Sequence, residues 1–126
     1  MKYLGIDYGR ARIGLAVSDE GGTFAFPLGV INNARGLVEI AKAIADEGAM
    51  SLVIGLPQAI EGMDQSLILE IRQFAEGLKD KIGLPVFFEN EMLTSKIAEA
   101  SSKASSDAAA AALILQSFLD RQNRVS

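Results

Sequence analysis

Cysteine is absent from this 126-residue sequence, so there is no disulfide framework, thiol nucleophile or cysteine metal site. Histidine is absent too, which rules out imidazole as a general base and zinc sites built on it. Any chemistry must come from carboxylates, hydroxyls, lysines or a bound ion. Long hydrophobic runs are also missing. The longest, Ala108 to Leu115, falls far short of the roughly 20 residues that span a bilayer, so no membrane insertion is expected. With a first strand expected from Tyr3, no basic, apolar and cleavable leader can be fitted ahead of it. Cations are outnumbered, with 12 Lys and Arg against 16 Asp and Glu and a net charge of −4, a balance that disfavours tight, purely electrostatic binding of nucleic acid.

What is there describes one ordinary globular domain spanning residues 1–126. Its hydrophobic content is 49%, its charged content 22%, and only three prolines interrupt it. Tyr3-Leu-Gly-Ile-Asp7 and Ile13-Gly-Leu-Ala-Val-Ser18 read as a hairpin joined by the polar turn Tyr8 to Arg12. Thr23 to Ile31 supplies a third strand, which Pro27 places near an edge. Leu37, Val38, Ile40, Ala41, Ile44 and Ala45 fall at helical spacing, predicting a helix from Ala34 to Glu47 that Gly48 stops. A buried strand Ser51–Ile54, a loop Gln58–Asp64, a helix Gln65–Lys81 and a strand Val86–Phe88 follow. A short helix Leu93–Ser101, a small-residue break Ser102–Ser106 and an alanine-rich helix Asp107–Gln122 complete the chain. The alternation in the second half predicts parallel pairing through right-handed crossovers. The fold class is therefore α/β, a mixed five-stranded sheet of three antiparallel then two parallel strands, flanked by helices.

Three carboxylates sit where chemistry is expected. Asp7 closes a hydrophobic strand, or else simply forms the turn before Tyr8-Gly9. Glu91 follows the fifth strand, at the edge where ligands collect in α/β sheets, or else stabilises a helix start. Asp107 shares a helical face with Ala111, Ile114 and Phe118, and the alanines at 108–112 allow that face close to the sheet; a first-turn aspartate capped by Ser105 or Ser106 is the plainer alternative. Three acids at one point repel unless a cation sits among them, and oxygen ligands alone suit Mg²⁺ or Mn²⁺. Arg10 and Arg12 in the turn beside Asp7 are candidates for phosphate contact, or are solvated. Gly55-Leu-Pro57 with Gly62 makes a loop at the same edge without a Walker pattern, and Thr94 and Ser95 touch substrate or cap a helix.

Four stretches resemble a known family: Leu4-Gly-Ile-Asp-Tyr-Gly-Arg-Ala-Arg-Ile-Gly-Leu-Ala-Val-Ser-Asp19; Val53-Ile-Gly-Leu-Pro57 with Gly62; Glu91 with Leu93-Thr-Ser95; and Asp107 with Ala111-Ala-Leu-Ile-Leu-Gln116. In order and spacing they look like the YqgF family of ribonuclease H-like nucleases, also called RuvX or Holliday junction resolvases. The resemblance implies a ribonuclease H-like fold and cytoplasmic location. It also implies metal-dependent phosphodiester hydrolysis in maturation of the 5′ end of pre-16S rRNA, or resolution of branched DNA, by a monomer or homodimer. It assigns Asp7, Glu91 and Asp107 as catalytic metal ligands for Mg²⁺ or Mn²⁺, with Arg12 beside the scissile phosphate; Arg10 and Thr94 join it as substrate contacts on the reading of the residues given above. The family pattern reads Asp-Glu-Arg where this chain has Asn90-Glu91-Met92, and carries a longer basic loop where this chain has Lys96 to Ser106. Those departures open a further reading, a nucleic-acid-binding module of the same fold that does not cleave. The Gly5 to Gly9 hairpin also resembles the phosphate element of actin-like ATPases and sugar kinases, which need two such domains to enclose nucleotide.

Overall fold

The computed structural model describes residues 1–57, 65–90 and 103–124. Five strands, β1 (Tyr3–Asp7), β2 (Arg12–Ser18), β3 (Ala25–Asn32), β4 (Ser51–Leu56) and β5 (Val86–Asn90), form one sheet in the order β3-β2-β1-β4-β5. β2 pairs antiparallel with both β1 and β3, whereas β4 pairs parallel with β1 and with β5. That is the mixed sheet expected from the pattern. Its helices are α1 (Gly36–Glu47), α2 (Gln65–Ile82) and α3 (Lys103–Arg124), with a 3₁₀ turn Asn33–Arg35 ahead of α1. Asn32 caps that turn through a side-chain oxygen accepting from the Ala34 amide, so the α-helix starts two residues later than the apolar spacing indicates. Gly48 ends α1 in the left-handed region at φ 71°, its amide bonded to the Ile44 carbonyl.

Three elements differ more from expectation. β4 and β5 each run two residues further than their apolar runs, because Gly55 pairs with Glu89 and Leu56 with Asn90. Neighbour pairing, rather than propensity, sets those ends. The break expected over Ser102–Ser106 is corrected: α3 already runs from Lys103, so Asp107 lies in its second turn and the first turn holds no acid. The first-turn reading of Asp107 thereby falls. The expected loop Gln58–Asp64 and helix Leu93–Ser101 lie outside the described residues.

Strand alternation divides the core between the two faces of the sheet. Leu4, Ile6, Ile13, Leu15, Leu52 and Ile54 pack with Ile40 of α1 and Ile71, Ala75 and Leu78 of α2. On the opposite face Ala16 and Val53 pack with Ala111, Ile114, Leu115, Phe118 and Leu119 of α3. β3, at the sheet edge, carries Pro27 and leaves Leu28 as a bulge between the pairs Leu15–Gly29 and Ala16–Pro27, which blunts it against further strand pairing.

α3 approaches the hairpin unusually closely, and two glycines permit it. A Cβ on Gly5 would lie 2.8 Å from the Leu115 Cβ, and one on Gly14 would lie 2.0 Å from the Asp107 carbonyl oxygen. No flexible side-chain end can yield at Gly14, since the obstacle is backbone. Gly14→Ala is therefore expected to push the amino-terminal half of α3 off the sheet and lower stability by about 3 kcal/mol, the upper part of the overpacking range. Denaturant unfolding of the two proteins measures this, with Gly29→Ala, where the added Cβ meets open space, as the mild control.

Candidate functional site

Asp7 is the last residue of β1 and pairs with Gly14. Directly paired residues of antiparallel strands project to the same face. Asp7 therefore projects toward the face on which the Asp107 backbone touches Gly14. Through Gly14 the backbones of Asp7, at the carboxyl end of β1, and Asp107 are brought to one corner of the sheet. Asp107 sits one turn ahead of the buried Ala111 on the packing face of α3. Its carboxylate does not stand alone: Arg12 Nε donates to Oδ2 at 2.9 Å, with the Asp107 side chain 27% and the Arg12 side chain 62% exposed.

The turn between β1 and β2 is laced to α2 by a second set of polar contacts. Arg10 donates through Nε to Glu70 Oε1 at 3.2 Å and through Nη2 to Ser66 Oγ at 2.9 Å. Tyr8 donates its hydroxyl to Glu70 Oε2 at 2.8 Å, and its ring lies 4.9 Å from that of Phe74. Asn33 donates to the Gly9 carbonyl at 2.6 Å. The two turn arginines thus face different ways, Arg12 toward the aspartate corner and Arg10 toward α2. Partial burial raises the Tyr8 hydroxyl above its ordinary value; Glu70, by hydrogen bond and charge, adds to this, while the Asn33 contact opposes it.

One functional-looking acid was missed by sequence reasoning. Glu89, only 3% exposed, accepts from Ser117 Oγ at 2.8 Å, and Arg121 Nη1 lies 2.6 Å from its other oxygen without the alignment of a hydrogen bond. It ties β5 to α3 on the same sheet face as Phe87, which stacks near Phe118. Strand alternation from Phe87 would have pointed to it had β5 been read past Phe88. Glu91 and Thr94 lie outside the described residues, and among those described no group of three or more acids gathers to hold an ion. The described part of the candidate site is therefore the pair Asp7 and Asp107 with Arg12. Hard oxygen donors of this kind fit Mg²⁺ or Mn²⁺ better than soft or nitrogen-preferring metals.

Residues 1–121 match the family model described as RuvX, Holliday junction resolvase. A protein of Nitratidesulfovibrio vulgaris named "Putative pre-16S rRNA nuclease" is 40% identical over 133 aligned positions, covering 95% of this chain and 94% of its own. One of the same name from Lawsonia intracellularis is 37% identical, covering 96% and 94%. Among solved structures, Thermus thermophilus RuvC in complex with a Holliday junction substrate superposes with a TM-score of 0.64 at 15% identity, covering 97% of this chain and 96% of that one. The fowlpox virus resolvase, in complex with junction DNA, gives 0.58 at 12% identity, covering 97% and 99%. These superpositions agree with the ribonuclease H-like sheet described above.

The Tyr8 bridge has a pH signature. Because its value is raised in the folded chain, the stability it contributes is present below the ordinary 10.0 and is lost as pH rises through the folded value. Tyr8→Phe removes that titration, so its stability is expected to fall less steeply than that of the parent as pH rises above 10.0. Urea unfolding midpoints above that pH read the difference.

Proposed function

We propose, given that the chain belongs to the RuvX family of Holliday junction resolvases, that it is a metal-dependent nuclease hydrolysing phosphodiester bonds in maturation of the 5′ end of pre-16S rRNA. The observation that carries the reading is the Gly14 contact, which brings Asp107 to the corner where Asp7 ends β1 in a chain without histidine or cysteine. Two carboxylates so placed repel in isolation and are stabilised by a shared cation. Asp7 and Asp107 would hold Mg²⁺ or Mn²⁺, with Glu91 as the third ligand of the family pattern. When bound, such an ion supplies the Lewis acid that activates water and offsets charge on the scissile phosphodiester.

The chain's own groups do the rest. Arg12, at the start of β2 and paired with Asp107, would donate its guanidinium to a phosphate oxygen, whose acceptor geometry suits its planar fork. Arg10, engaged by Glu70 and Ser66, braces the turn that carries both arginines and reaches phosphate only by exchanging those partners. No helix among the described residues is long and apolar enough to cross a membrane, and a role in nucleic-acid processing agrees with a cytoplasmic protein. A second substrate, branched DNA, is favoured by the description of the family itself. A third reading, a module that binds without cleaving, draws on the net charge of −4 and on the intramolecular ion pairs of both turn arginines.

One assay separates the three. The purified chain with Mn²⁺ is offered a 5′-extended 16S rRNA segment and a four-way DNA junction. Cleavage of the RNA is expected, with Asp7→Asn and Asp107→Asn each slowing it on the order of 100-fold or more. Cleavage confined to the junction would move the function to DNA, and binding without cleavage of either would leave the module.

A further inference from the structure

The Arg12–Asp107 ion pair places a fixed positive charge on the carboxylate that the nuclease reading assigns to a metal ion. The parts of this contact are unequal. Asp107 is anchored, since its backbone is pressed onto Gly14 and its helix is buried one turn on. Arg12 is fixed only at its backbone, by pairing with Asn32, and its side chain is 62% exposed. An exposed guanidinium can swing to another anion at small cost, because exposed ion pairs contribute only about 0–1 kcal/mol. Arg10 cannot take its place without giving up Glu70 and Ser66.

We propose that Arg12 stands in for the divalent cation at Asp107, weakening metal binding to the free protein, and releases that carboxylate when a phosphodiester draws the guanidinium away. While Arg12 is seated on Asp107 it cancels that carboxylate's charge. Metal affinity is then low while Arg12 is seated and rises when substrate engages it. By linkage, the metal raises substrate affinity by the same factor. The consequence is regulatory: ion and nucleic acid load together, and the free protein does not hold an activated site. This rests on the metal reading of the preceding subsection.

The test is Mn²⁺ binding to the full chain without substrate, followed by the electron paramagnetic resonance signal of the free ion. For a dication about 6 Å from the guanidinium with near-aqueous screening, Coulomb's law gives about a tenfold effect. Arg12→Gln is therefore expected to bind Mn²⁺ about tenfold more tightly than the parent. Arg12→Lys, which keeps the charge but loses the fork, should fall between them. In an Asp107→Asn background the Arg12→Gln gain should disappear, as a double-mutant cycle requires of a direct coupling. Arg12→Gln binding Mn²⁺ equally or more weakly, while Asp107→Asn alone weakens it, would overturn the role of Arg12 and leave the metal site standing. Asp107→Asn binding like the parent would overturn the metal site and, with it, this proposal.

Discussion

The contact of α3 with the β1–β2 hairpin is the constraint on which the rest depends. Helix backbone meets strand backbone at Gly14 with no room for a methyl group, and at Gly5 with almost none. The buried face of α3, Ala111, Ile114, Leu115, Phe118 and Leu119, supplies the apolar area that holds the two surfaces together. Asp107 is carried to its place by that packing rather than by any polar interaction of its own. The cation proposed above would meet the charge that this backbone geometry gathers at the corner.

Around this corner the charged side chains orient more than they stabilise. The pairs Arg10–Glu70 and Arg12–Asp107 are half exposed or more on the arginine side, and pairs of that kind contribute little to folding. Their effect is directional. Arg10 and Tyr8 tie the turn to α2 through one acceptor, Glu70, while Arg12 points the other way. In a chain of net charge −4, both turn arginines are held in defined poses by carboxylates. Glu89 is a different case: buried, it needs Ser117 and Arg121, and it fastens β5 to α3 on the same sheet face.

Much of this was legible in the residues. Alternation and helical spacing identify every described strand and α-helix, and the offsets of Ala111, Ile114 and Phe118 from Asp107 put that acid on the packing face, where it lies. What could not be read was set by partners distant in sequence. The last residues of β4 and β5 are strand only because Gly55 and Leu56 pair with Glu89 and Asn90. Lys103 to Ser106, where Ser105 and Ser106 suggest a break or cap, are drawn into α3. The destinations of Tyr8 and Arg10 depend on Glu70, some sixty positions away, and no local pattern announces that pairing. Gly14 reads as an ordinary strand glycine until the helix above it is known.

Whether the aspartate corner holds a metal ion is decided most directly by diffraction from crystals of this chain grown with Mn²⁺. An anomalous peak bridging the Asp7 and Asp107 carboxylates is the expected result. Manganese absent from that corner, with both side chains ordered, would contradict it.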